Sequence, residues 1–249
     1  MIPASVAETR ERGGKSVFVT GGSGALGAAI VRKMTEHGWR VAFCYHQSKD
    51  KADALAAETG ALALRADLEN EEAVAAMAVT LEKDFGTPDA LVNNAGKTSI
   101  MPFALLEAAD WDAAMSANLK SMFLATHAVI RGMIRRRSGA VVNMSSIAGQ
   151  RLLEVPVTYA ASKSGVAGFT LGLAREVARY NIRVNAVAPG MLDGGVADHV
   201  PEQEKKEYLR YCLAGRPGRC EEAAELVEFL CSDRASYINA QLIHINGGL

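Results

Sequence analysis

The chain is short of several things, and each shortage removes a class of protein. It has four cysteines (Cys44, Cys212, Cys220 and Cys231) with no CxxC pair and no other metal-ligand spacing. Neither a metal site nor a disulfide framework is expected; reduced thiols in a cytoplasmic protein are. An excess of one charge is missing too. The 27 Lys and Arg against 28 Asp and Glu leave a net charge of −1, which gives no general pull toward nucleic acid or an anionic membrane. Long hydrophobic runs are absent: apolar stretches are strand-length or broken by charge, so no membrane span is expected. The opening MIPASVAETRERGGK lacks the apolar stretch of a signal peptide and reads as a flexible polar arm over residues 1–15. No Pro/Gly-rich linker, repeat or low-complexity segment divides the remainder of the chain, so one domain is expected over residues 16–249.

What the chain does have is hydrophobic residues, at 49%, enough for a large core. They fall in short apolar runs alternating with amphipathic stretches. Strands are expected at 16–20, 40–45, 61–65, 90–93, 140–144, 183–188 and 242–245. Helices are expected at 28–37, 50–59, 71–85, 159–180 and 221–232, with two helical lengths in 110–137. Alternation of this kind implies βαβ units and an α/β fold. With right-handed crossovers it becomes a single Rossmann-like, doubly wound parallel sheet with helices on both faces. Residues 193–219 break the pattern. They are polar, weakly periodic and long for a connection, and read as a lid or a disordered loop.

Four local sequences carry chemistry. Thr20-Gly21-Gly22-Ser23-Gly24-Ala25-Leu26-Gly27 lies between the first strand and the first helix. Glycines there permit a tight turn and a close approach to a pyrophosphate, and the helix start offers free N–H groups and a positive dipole end. Tyr159-Ala-Ala-Ser-Lys163 places a phenol and an ammonium on one face of a helix. Ser146 stands upstream in Asn-Met-Ser-Ser-Ile-Ala-Gly, with Ser145 as its competitor, and Asn118 stands earlier in SANLKSMF.

Together these resemble the short-chain dehydrogenase/reductase superfamily, and the resemblance covers nearly all of residues 16–249. It implies a catalytic tetrad of Asn118, Ser146, Tyr159 and Lys163, with Ser146 preferred over Ser145. The glycine turn resembles the family's TGxxxGxG fingerprint through Gly21, Ser23, Gly24, Ala25, Leu26 and Gly27, and it looks like the turn of polyketide ketoreductase domains. Ala25 stands where the fingerprint has glycine, which is acceptable if its φ stays negative. Asp67 and Leu68 resemble the pair at the adenine. Asn94, Ala95 and Gly96 belong to an Asn-Asn-Ala-Gly turn beside the adenosine. Pro189, Gly190 and Leu192 resemble the turn at the nicotinamide, where the usual threonine is replaced by Gly194; a looser lid is expected.

The end of the second strand, Tyr45-His46-Gln47-Ser48-Lys49, has no acid to select the 2′-hydroxyl of NAD. His46, Ser48 and Lys49 can all donate to a 2′-phosphate, so NADPH/NADP+ is the expected cofactor, an ordinary polar loop being the alternative. The chain's ending resembles 3-oxoacyl-acyl-carrier-protein reductases of fatty-acid and polyketide synthesis. That likeness implies a homotetramer and a carrier-borne 3-oxoacyl thioester substrate. An alcohol, sugar or steroid dehydrogenase is the alternative within the family, and a cofactor-binding sensor the alternative outside catalysis. Arg136 and Arg137, beside Arg131 and Arg135, are candidates for docking an acidic acyl carrier protein. They also suit a helix C-terminus on dipole grounds alone.

Overall fold

The computed structural model describes residues 14–98, 100–195, 198 and 200–249. The polar arm falls almost wholly outside the described residues. Seven strands form one sheet in the order β3-β2-β1-β4-β5-β6-β7, and every neighbouring pair is parallel. They are β1 (Ser16–Val19), β2 (Arg40–Tyr45), β3 (Leu62–Arg65), β4 (Ala90–Asn93), β5 (Gly139–Met144), β6 (Ile182–Pro189) and β7 (Leu242–Ile245). The central strands are apolar over most of their length and almost fully buried. A parallel sheet covered on both faces requires that pattern. The order reverses between β1 and β4, and such a switch point opens a crevice at the carboxyl ends of the strands.

The helices are α1 (Ala25–Glu36), α2 (Lys49–Thr59), α3 (Glu71–Asp84), α4 (Ala108–Met115), α5 (Ser121–Arg136), α6 (Val157–Val177), α7 (Glu202–Tyr211) and α8 (Cys220–Cys231). Two cores result, one on each face of the sheet. Ile30, Met34, Phe43, Leu55, Val227 and Leu230 fill the first, under α1, α2 and α8. Phe18, Met77, Leu91, Met133, Val141 and Val177 fill the second, under α3, α5 and α6.

The structure departs from the sequence expectations in three places. Helix α1 begins at Ala25, three residues before Ala28, because its glycine is a packing requirement rather than a breaker. A Cβ on Gly27 would lie 2.2 Å from the Gly21 carbonyl oxygen. The two helical lengths of 110–137 are joined without a break by a π-helical turn, Ser116–Lys120. Within residues 193–219, a ten-residue helix, α7, stands where weak periodicity gave no expectation of a helix. Glu202 and Glu204 lie in its first turn and Arg210 in its last, an arrangement the helix dipole favours. No residue of α7 is fully buried, which is why no apolar stripe marked it.

Candidate active site

A cleft of about 850 Å³ opens at the carboxyl edge of the sheet. Its floor at one end is the glycine turn. The N-cap of α1 is Gly24, which makes no side-chain cap, and the first turn holds no acid. The positive end of the helix is therefore left for an anion. Ala25 is the first residue of α1 and lies outside the positive-φ set, so its methyl is tolerated. The turn is tied to β4. Asn94 N and Ala95 N donate to Thr20 Oγ1 at 2.9 and 3.0 Å, and Asn94 Nδ2 donates to the carbonyls of Thr20 and Gly21 at 3.1 and 3.2 Å.

Gly21, Ser23, Gly24, Ala25, Leu26, Gly27, Tyr45, His46, Asn94, Ala95, Gly96, Tyr159, Lys163, Pro189, Gly190 and Leu192 all line the cleft. Asp67 and Leu68 lie off its wall. Leu68 packs into the second core. Asp67 Oδ1 accepts from Glu69 N at 3.0 Å, while its Oδ2 lies 4.0 Å from His46 Nε2. Lys49 is paired with Asp53. The residues present fit a nicotinamide dinucleotide: an uncapped helix start over a glycine cradle, and the buried Thr98 Oγ1, on the cleft wall, with no hydrogen-bond partner among the described residues.

Ser146, Tyr159 and Lys163 converge at the other end. Strand β5 and helix α6 bring Ser146 within hydrogen-bonding reach of the Tyr159 phenol. Ser145 is separated from it in role, because its hydroxyl donates to the Lys163 carbonyl at 2.8 Å and so fastens α6 to β5. Lys163 Nζ donates to the Met144 carbonyl at 2.9 Å and lies 5.8 Å from the centroid of the Tyr159 ring. Burial pushes the Lys163 ammonium down to about 8. Burial also holds the Tyr159 phenol above its usual value, with the Ser146 bond acting against it.

Asn118 is buried on the π-helical turn rather than on the cleft wall. Its Oδ1 accepts from Lys97 N and its Nδ2 donates to Lys97 O, both at 2.9 Å. A Cβ on Gly96 would lie 2.7 Å from Asn118 Oδ1 and 3.4 Å from Lys163 Nζ. A side chain at residue 96 would therefore displace the Asn118 amide.

The two departures from the family pattern meet in space. Gly194 and Gly195 have φ of 85° and 67°, and a Cβ on them would lie 3.4 and 3.7 Å from the Ala25 methyl. The bare backbone of residues 194–195 thus runs over the altered glycine turn. Beyond it, α7 contributes Tyr208, which sequence reasoning missed. Met191 N donates to Tyr208 Oη at 3.0 Å, and Gly190 leaves the space in which that oxygen sits. The far wall is largely apolar, with Leu152, Leu153, Val155 and Tyr211. The spacing of Tyr208 and Tyr211 was the available signal for these residues, and it was too slight against a polar background.

Outside the cleft, Arg136 is committed to structure. It donates to the carbonyls of Thr87 and Pro88 at 2.9 and 2.8 Å and pairs with Asp89 at 3.3 Å. Arg137 donates to the Arg179 carbonyl at 2.8 Å and sits over the Tyr180 ring. All four cysteines are free and buried. No group of three or more potential metal ligands occurs among the described residues, and no helix among them is long and apolar enough to cross a membrane.

Residues 22–249 match the family model described as Enoyl-(Acyl carrier protein) reductase. The 3-oxoacyl-(acyl-carrier-protein) reductase FabG of Staphylococcus aureus is 38% identical over 240 residues, covering 94% of this chain and 98% of the relative. Nodulation protein G of Rhizobium meliloti is 37% identical over 238 residues, covering 95% and 97%. A short-chain dehydrogenase/reductase of Serratia marcescens, solved as a double mutant, superposes with a TM-score of 0.87 at 32% identity, covering 94% and 97%. With likeness of that extent in both sequence and fold, the chain belongs to the short-chain dehydrogenase/reductase superfamily of oxidoreductases.

Proposed function

We propose that this chain is an NADPH-dependent ketoreductase that converts a carrier-borne 3-oxoacyl thioester to its 3-hydroxyacyl form. The observation that carries the reading is the meeting of Ser146, Tyr159 and Lys163 at one end of a cleft whose other end is an uncapped helix start. The names of the Staphylococcus aureus and Rhizobium meliloti relatives differ, but the first specifies 3-oxoacyl reduction. The apolar wall of Leu152, Leu153 and Val155 suits an acyl chain better than a sugar.

Gly21 to Gly27, Tyr45, His46, Asn94 to Gly96 and Pro189 to Leu192 would hold the dinucleotide, which when bound supplies a hydride. The protein's part is proton and charge management. Ser146 donates a hydrogen bond to the substrate carbonyl and polarises it. Tyr159, whose burial holds the phenol above its usual value, delivers its proton to the same oxygen as negative charge gathers there. The phenolate left behind is stabilised by the charged Lys163. Asn118 holds the Lys97 backbone against the base of the site and, through the second lone pair of Oδ1, can hold a water beside Lys163.

Docking of an acidic carrier protein is assigned here to Arg137 and Arg179, with Arg131 and Arg135, rather than to Arg136. The first four make no salt bridge to a described residue, whereas Arg136 staples the loop before β4. The reading includes a cytoplasmic homotetramer; the exposed Trp111 and Phe123 on α4 and α5 support self-association. The test is a reduction assay on carrier-bound 3-oxoacyl chains, free alcohols and sugars with both nicotinamide cofactors. Turnover of sugars or alcohols in preference to 3-oxoacyl chains would overturn it.

A further inference from the structure

We infer that Arg65, at the end of β3, is the side chain that holds the 2′-phosphate of the dinucleotide, with His46 beside it. The inference rests on the NADPH reading above and adds a residue that the β2 sequence does not contain. Tyr45 and Arg65 are partners in the parallel register of β2 and β3, so their side chains leave the same face of the sheet at its carboxyl edge. Tyr45 and His46 line the cleft. Arg65 is exposed, and its Nε donates to the His46 carbonyl at 3.3 Å. That bond lays the guanidinium across the turn after β2.

Both terminal nitrogens of Arg65 remain for a ligand, and no carboxylate among the described residues lies within salt-bridge distance of it. The other cation of this loop, Lys49, is held by Asp53. Asp67 faces His46 rather than Arg65, and its second oxygen is taken by Glu69 N. A planar guanidinium anchored by Nε presents two parallel donors to a phosphate. Inspection of the β2 loop alone overlooks it because the residue arrives from the neighbouring strand, through register and not through sequence proximity.

The measurement is calorimetric titration of adenosine 2′,5′-bisphosphate and adenosine 5′-monophosphate into the wild-type protein, Arg65→Gln and Lys49→Gln. Wild type should bind the bisphosphate more tightly. Arg65→Gln should weaken the bisphosphate about tenfold to a hundredfold, the loss of a charge-assisted contact, and leave the monophosphate unchanged. Lys49→Gln should change neither by more than about threefold, as for an exposed pair. Equal weakening of both ligands by Arg65→Gln, or a larger bisphosphate loss in Lys49→Gln, would overturn the assignment of Arg65. So would an unchanged bisphosphate affinity, with the NADPH reading left standing. A wild-type protein that does not distinguish the two ligands would overturn both.

Discussion

At Lys163 the loss of solvent has a consequence that can be measured. A buried lysine without a carboxylate partner has its pKa lowered because desolvation penalises the charged form, here to about 8. The ammonium is present below that value and is lost as pH rises through it. Reduction should therefore fall above pH 8, with log kcat/KM bending downward near that point; a flat profile to about pH 9.5 would remove Lys163 from the charge balance. Tyr159→Phe should lower kcat by roughly two to four orders of magnitude, the worth of a general acid, while cofactor fluorescence still reports binding. A mutant keeping a tenth of wild-type turnover would dismiss Tyr159 as the acid. Arg136 behaves differently. Arg136→Ala strips donors from the carbonyls of Thr87 and Pro88 and should cost about 1–3 kcal/mol of stability, read from urea unfolding, with kcat/KM unchanged.

Elements decide how these residues are held. The π-helical turn between α4 and α5 carries Asn118 inward, and such turns recur at functional sites. Helix α6 sets Tyr159 and Lys163 one turn apart, and the Ser145 bond to the Lys163 carbonyl fixes its axial position against β5. Helix α7 is anchored to the nicotinamide turn through Tyr208 and Met191 N. Tyr208→Phe keeps the ring and removes the acceptor. The freed amide should loosen residues 190–192 and raise the KM for NADPH about threefold to tenfold, one neutral hydrogen bond's worth, with a smaller effect on kcat. If steady-state kinetics show kcat falling alone, Tyr208 acts on chemistry rather than on position.

Over the whole molecule the charges sum to almost nothing, so a carrier protein must be recognised by a local patch. Arg137→Glu with Arg179→Glu should raise the KM for carrier-borne substrate and leave a short thioester mimic unaffected. The wild-type advantage on the carrier substrate should shrink as salt rises, because screening acts on encounter between exposed charges. Equal losses on both substrates would assign these arginines to the packing around Tyr180 instead.

By itself the sequence determined the order of the strands and of the helices other than α7, the parallel sheet and the turn over which α1 begins, because alternating apolar runs and glycine placement are local properties of the chain. Strands β2, β4 and β7 could be delimited to the residue, since Gly38 precedes the first, Gly86 and Pro88 precede the second and Gly247 follows the last. Tyr159 and Lys163 were legible as a pair because helical spacing alone puts them on one face. Tertiary structure decided the rest. It separated Ser145 from Ser146 by giving one hydroxyl to the Lys163 carbonyl. It engaged the Arg136 guanidinium by offering it acceptors from the loop before β4. It made a helix of residues 202–211, whose stabilising contact is to the remote Met191. It set Gly194 and Gly195 over Ala25, and Arg65 over His46, by strand register and loop path. Pairings of this kind depend on which distant segments share a sheet edge, and only the folded chain fixes that.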